Sequence, residues 1–269
     1  MPKHQRRSSP RSTSKLRVQT SYSRVTTKDT TKMQSKGIGV AAKVVDDLER
    51  LLVKACNPAD AQPMKKYMRN QFEYFGVKTP KRKEIMKQVF HTMTDPSSGE
   101  VLSVAKLLWT RDQRELHYCA VDILIKYKSL LASNAQICAQ SANVVRHLLT
   151  EKSWWDTVDL LASNVVGHMA STQPSHMKPL LDKWITTDNM WLRRTAILHQ
   201  LKYKGNTDEM TLFRYCMKCS DEDEFFIRKA IGWALREYHK TNPGAVRDFV
   251  AEHKNRLAPL SVKEALKHD

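Results

Sequence analysis

Three short segments of this chain read almost as copies of one another: ILIKYK, HQLKYK and ALREYHK, ending at Lys128, Lys204 and Lys240. Their tyrosines, Tyr127, Tyr203 and Tyr238, are separated by two intervals, the first about twice the second. Polar openings recur ahead of them, as TRDQRE, EKSWWD, TTDNMW and SDEDEF. A unit of roughly 35–40 residues with this layout is a helical hairpin, and such hairpins stack because none can bury its apolar face alone. The sequence therefore predicts an all-α fold, a HEAT- or armadillo-like helical solenoid with one concave face. Glycine (8) and proline (10) are scarce, and no alternating, β-branched runs stand between turn signals. No apolar run approaches the roughly 18–20 residues a membrane span needs, so a membrane is not expected as partner.

Charge narrows the partner further. The chain has 45 Lys and Arg against 28 Asp and Glu, a net +17, which points to a polyanion. Residues 1–36 hold ten Lys or Arg against Asp29 alone, so +9 lies there and +8 in the rest. The remainder is thus basic in its own right, and a concave basic face suits a rod-like polyanion such as duplex DNA. Residues 1–39 are too poor in large apolar side chains to offset chain entropy and read as a disordered basic tail; residues 40–269 form the folded unit. The tail segment HQRRSSPR fits a nuclear address, a non-specific DNA-binding arm, an organelle transit peptide or a solvated tail. The nucleus is the expected location, with a mitochondrion, another organelle or a bacterial-type cytoplasm as alternatives. Five scattered cysteines argue for a reducing compartment. Cys216-x-x-Cys219 lacks a second ligand pair at zinc spacing, so neither a metal nor another cofactor is expected.

EKSWWDTVD, residues 151–159, sets carboxylates beside indoles in a basic chain. Ser153 and Asp156 have the spacing of a capping box, which assigns Asp156 to the helix terminus. At helical spacing Trp154, Val158, Leu161 and Val165 form one apolar stripe, the core face. Trp155 and Asp159 are i, i+4 neighbours rotated off that stripe. Asp159 lies beyond the first turn, so it is either a solvated acid beside a half-buried indole or part of a site. In FFIRKAIGWALREYHK, Lys229, Trp233, Arg236 and Lys240 make a basic stripe with a tryptophan inside it. That is either a solvated face with the indole under lysine stems or a surface for sugar and phosphate. The helix between adds Arg193, Arg194, Lys202 and Lys204.

Together these segments resemble the AlkD-type DNA alkylation-repair glycosylases. The matching text is PMKKYMRNQFEYFGVKTPKRK (63–83), EKSWWDTVD (151–159), KWITTDNMWLRRTAILHQLKYK (183–204), EFFIRKAIGWALREY (224–238), KTNP (240–243) and LAPLSVKEALKH (257–268). It extends from about residue 45 onward and leaves out the tail. The resemblance implies a HEAT-like solenoid cradling duplex DNA. It implies hydrolysis of the N-glycosidic bond of cationic alkylpurines, of the 3-methyladenine and 7-methylguanine type, without flipping the lesion into a pocket. It implies a monomeric, monofunctional glycosylase. By the same resemblance Asp159 is the catalytic carboxylate, and Trp155 and Trp233 embrace the lesion deoxyribose. Tyr67 lines the site, and Arg194, Lys202 and Arg236 hold the DNA. Lys83 stands where the family commonly has arginine, so a point charge replaces a planar fork. The competing expectation is a helical-repeat scaffold that grips DNA without chemistry.

Overall fold

Helix boundaries follow local chemistry. Ser97 and Glu100 close a reciprocal capping box at one helix start, and Asn57, Asn134, Asn189, Asp208 and Asn242 accept backbone N–H groups at five others. Proline occupies the first helical turn repeatedly, where its missing N–H costs no bond. A computed structural model of the chain describes residues 27–267, with side chains from residue 39 onward. The segment HQRRSSPR and its targeting role lie outside the described residues.

The helices are α1 (Thr27–Lys54), α2 (Pro58–Tyr67), α3 (Thr79–Phe90), α4 (Ser98–Thr110), α5 (Arg114–Lys126), α6 (Lys128–Leu131), α7 (Ala135–Thr150) and α8 (Trp155–Leu160). A π-helical turn, Leu161–Val166, joins α8 to α9 (Gly167–Thr172). Then come α10 (Pro174–Trp184), α11 (Met190–Leu198), α12 (Glu209–Lys218), α13 (Phe225–His239), α14 (Pro243–Glu252) and α15 (Pro259–Ala265). The backbone is helical from Thr27, ahead of the boundary at residue 40 expected from composition. Among the described residues the only β pairing is an isolated bridge between Glu73 and Gln113.

The fold is all-α, a helical-repeat stack in two rows. In one row α1 packs on α4, α4 on α7 and α7 on α10; in the other α3, α5, α8, α11, α13 and α15 follow one another. The second row keeps the register seen in sequence: α5, α8, α11 and α13 begin at Arg114, Trp155, Met190 and Phe225. Tyr127 ends α5, Tyr203 follows α11, and Tyr238 closes α13. One continuous core joins the rows, with Leu48, Leu108, Ile123, Leu148 and Trp184 among its fully buried side chains. No helix among the described residues is long and apolar enough to cross a membrane.

The π turn has a local cause. Ser163 Oγ donates to Asp159 O and Asn164 Nδ2 to Leu160 O, so side chains take carbonyls that the helix ladder would otherwise use. The N–H of Gly167 then reaches Ala162 O, five residues back. A Cβ on Gly167 would stand 2.3 Å from His199 O, so only glycine lets the end of α11 lie this close. Tyr203 Oη donates to Gly167 O at 2.6 Å, clasping the same turn.

Candidate active site

The second row carries two carboxylates on successive turns of α8. Asp156 does not cap the helix, contrary to the spacing argument. The N-cap is Trp154, which makes no side-chain bond there, and Ser153 Oγ donates back to Leu149 O. Asp156 turns instead to α5. Arg114 donates to it through Nε (3.0 Å) and Nη2 (2.6 Å), and Tyr118 Oη donates at 2.7 Å. Arg114 also holds Thr157 Oγ1 and Lys152 O and lies 3.7 Å over the Phe72 ring. His117 accepts from Arg114 at Nδ1 and donates from Nε2 to Arg111 O. Burial, helped by the Arg114 charge, depresses the His117 pKa to about 4, so the ring is neutral and suited to both roles.

Beside Arg114, Glu115 is fully buried and accepts from the N–H groups of Phe75, Gly76 and Val77. Gly76 has φ +84 and lies against Asn57 O, where any Cβ would overlap. Asp156 and Glu115 thus fix α8 and the loop after α2 to the same helix, α5. The consequence is a meeting of aromatics: Tyr67, ending α2 and 70% exposed, meets Trp155 edge-on at 5.9 Å.

Asp159 follows Trp155 by four residues and shares its face. Its partner is Arg194 of α11, with Nε to Oδ1 at 2.7 Å and Nη2 to Oδ2 at 2.8 Å. Arg194 Nη1 donates to Phe226 O, so one guanidinium joins α8, α11 and α13. Such a two-point fork fixes a carboxylate's orientation as well as its charge. Arg194 is 5% exposed and Asp159 12%, and Leu160 beside it is 41% exposed. Burial pushes the Asp159 carboxyl above the usual aspartate range; Arg194 pulls it down, and the Asp156 charge pushes it up.

The remaining predicted site residues spread along the row. Trp233 is half-buried on α13, packed against the core. Lys202 Nζ donates to Asn164 Oδ1 on the π turn. Arg194 is buried, with the donors above taken inside the protein, so it positions Asp159 and presents little of itself to solvent. The basic stripe on α13 is ion-paired: Glu264 of α15 takes Lys229 (2.8 Å) and Arg236 (2.5 Å), and Glu237 takes Lys240. Lys83 is exposed on α3 and lines a groove of about 570 Å³ with Met86, Lys87, Phe90 and Lys126. Trp154 joins an aromatic group with Trp191 and Phe226. The thiols of Cys216 and Cys219 are buried and Glu222 approaches Cys219, but among the described residues no group of three or more acidic, His or Cys side chains is placed to hold a metal.

Reasoning from sequence missed Arg114, Tyr118, Asn164 and Glu264. Asn164 alone left a local signal, as a polar residue in the apolar run LLASNVV.

The fold and site define a class of helical-repeat protein in which one row of helices carries a clamped carboxylate, two half-buried indoles and several cations. Within that class, the chain matches the family model described as DNA alkylation repair enzyme over residues 48–268. The chain belongs to this family of DNA-repair enzymes. Among solved structures it is similar to a predicted DNA alkylation repair enzyme from Enterococcus faecalis, 27% identical, with TM-score 0.71, covering 79% of this chain and 96% of that one. AlkD2 from Streptococcus mutans shares the fold at 19% identity and TM-score 0.52, over 69% of this chain and 89% of that one. No curated protein matches.

Proposed function

We propose that the chain is a monofunctional alkylpurine DNA glycosylase, acting as a monomer on 3-methyladenine- and 7-methylguanine-type lesions in duplex DNA without base flipping. The observation that carries this reading is Asp159, oriented at both oxygens by Arg194 yet still reachable from solvent beside Trp155. Alkylation places a positive charge on the base and weakens its bond to C1′. The base leaves neutral, taking the bonding electrons, so no general acid is required. The deoxyribose is left cationic. A fixed carboxylate within reach stabilises that cation and orients the water that adds to C1′, the water's proton passing to solvent. The faces of Trp155 and Trp233 offer the electron-rich surface a cationic sugar favours. Tyr67 steadies Trp155 edge-on. Lys202, Arg236 and Lys83 supply phosphate contacts along the row, giving affinity without sequence reading.

The test is release of free base from duplex DNA carrying 7-methylguanine, with wild type and Asp159→Asn side by side. Release by wild type alone, leaving an intact abasic strand, is expected. Strand cleavage at the product would contradict the monofunctional assignment. DNA binding with no release by either protein would leave a non-catalytic DNA scaffold as the reading.

A further inference from the structure

The C-terminal helix α15 crosses α13 at Gly232. A Cβ there would stand 2.5 Å from Glu264 Cβ and 2.8 Å from Ser261 O, so glycine permits the crossing. Ser261 Oγ donates to Arg228 O at 2.9 Å and fixes the crossing point. This contact delivers one carboxylate, Glu264, to two cations: Lys229 Nζ at Oε1 and Arg236 Nη1 at Oε2. Lys229 precedes Trp233 by four residues and Arg236 follows it by three, so both are its neighbours on the helix face. Glu264 therefore brings the cations on either side of this indole to one point. Its side chain is only 16% exposed, and Lys229, with Arg236, holds its carboxyl below the usual glutamate range. An acid in a region that must meet phosphates is costly unless it does something there.

We propose that Glu264 is a positioning residue: it holds Arg236 and Lys229 beside Trp233 in the arrangement that the lesion-bearing strand requires. This rests on the glycosylase reading above. Among the described residues each cation has Glu264 as its one ion-pair partner, which leaves Arg236 donors at Nε and Nη2 and Lys229 two ammonium protons for a ligand. The carboxylate thus sets their aim without consuming them. The guanidinium and ammonium carry long, entropy-rich stems that would otherwise be ordered only on binding.

The test separates affinity from rate. Glu264→Gln keeps size and the α15 packing while removing the charge; a thermal melt within a few degrees of wild type confirms that the fold stands. Loss of an anion makes undamaged duplex bind equally or up to about threefold more tightly. Single-turnover release of 7-methylguanine at saturating DNA slows about tenfold, because the cations are no longer aimed. Glu264→Asp, which keeps the charge one methylene shorter, recovers part of the rate. Arg236→Ala combined with Glu264→Gln loses less rate than the product of the two single losses, the remainder reflecting Lys229. Faster release together with tighter binding would show that Glu264 merely competes with phosphate, and parallel losses of rate, affinity and melting temperature would show a packing role; either overturns the proposal. Should the wild type release no base, the glycosylase reading fails, and the same double-mutant cycle on duplex affinity judges Glu264 by itself. Additive effects there overturn the coupling.

Discussion

Asp156 and Asp159 lie three residues apart on one helix, and each is gripped by both oxygens in an arginine fork. Asp156 accepts a third bond from Tyr118, whose hydroxyl also meets Tyr74 at 3.1 Å. Its arginine, Arg114, is fully buried and shared among Thr157, Lys152 O and His117. Asp159 has Arg194 as its only hydrogen-bond donor among the described residues and keeps an edge toward solvent. A carboxylate can accept about four bonds. The difference is therefore one of degree: Asp156 has three of these sites filled and is the more buried, whereas Asp159 has two filled and keeps the rest for a ligand.

The largest expected break of this comparison is in rate. Asp159→Asn slows base release on the order of 100–1,000-fold or more, measured in single turnover, and costs less stability than Asp156→Ala because the amide oxygen still accepts one bond from Arg194. Asp156→Ala does the reverse. It strands the buried Arg114 charge and costs about 3–5 kcal/mol of stability, read by denaturant unfolding. If both variants lost stability alike, the distinction between the pairs would collapse.

A smaller effect sharpens the role of the second arginine. Arg194 opposes the burial that raises the Asp159 pKa. Arg194→Met removes that opposition, so the acid limb of the pH–rate profile moves to higher pH. An unmoved limb would mean that Arg194 does not tune this carboxylate.

The smallest effect separates the two regions by sign. His117 binds its proton less tightly when folded, at about 4 against 6.5 unfolded. Its contribution to stability is complete above pH 6.5 and is lost as pH falls toward about 4. Asp159 is shifted upward, so its contribution is complete below the unfolded value of 3.8 and is lost as pH rises through the folded value. Melting temperature against pH should therefore fall on acidification below pH 6.5, and less steeply in His117→Gln. An identical slope in that variant would remove His117 from the account.

What could be read beforehand follows the reach of helical periodicity. Of the stripe Trp154, Val158, Leu161 and Val165, the last three are fully buried as their spacing requires, but Trp154 is only half-buried because it stands at the extended N-cap, outside the helical period; Trp155 with Asp159 shares the adjoining face. The repeat of tyrosines and polar helix starts gave the register of α5, α8, α11 and α13. The role of Asp156 was not legible, because its partner Arg114 lies 42 residues away in sequence, whereas a cap is a local pattern. Ser153 could have begun the helix, but its hydroxyl goes to Leu149 O. The basic stripe on α13 looked unopposed for the same reason: Glu264 arrives from α15, 28 residues beyond Arg236.

The π turn at Leu161–Val166 gives the helix a change of phase, like one coarse thread cut into a screw. An α-helix turns about 100° per residue and a π turn turns less, so regularising this segment to α with its length unchanged would swing Trp155 and Asp159 about a quarter-turn away from Arg194, with Gly167 still seated against α11. The aim of the whole site is thus set by the hydrogen-bond pattern of six residues: the π turn takes in one residue more than an α ladder would, and losing that residue along with the turn would bring Trp155 and Asp159 back to the same bearing.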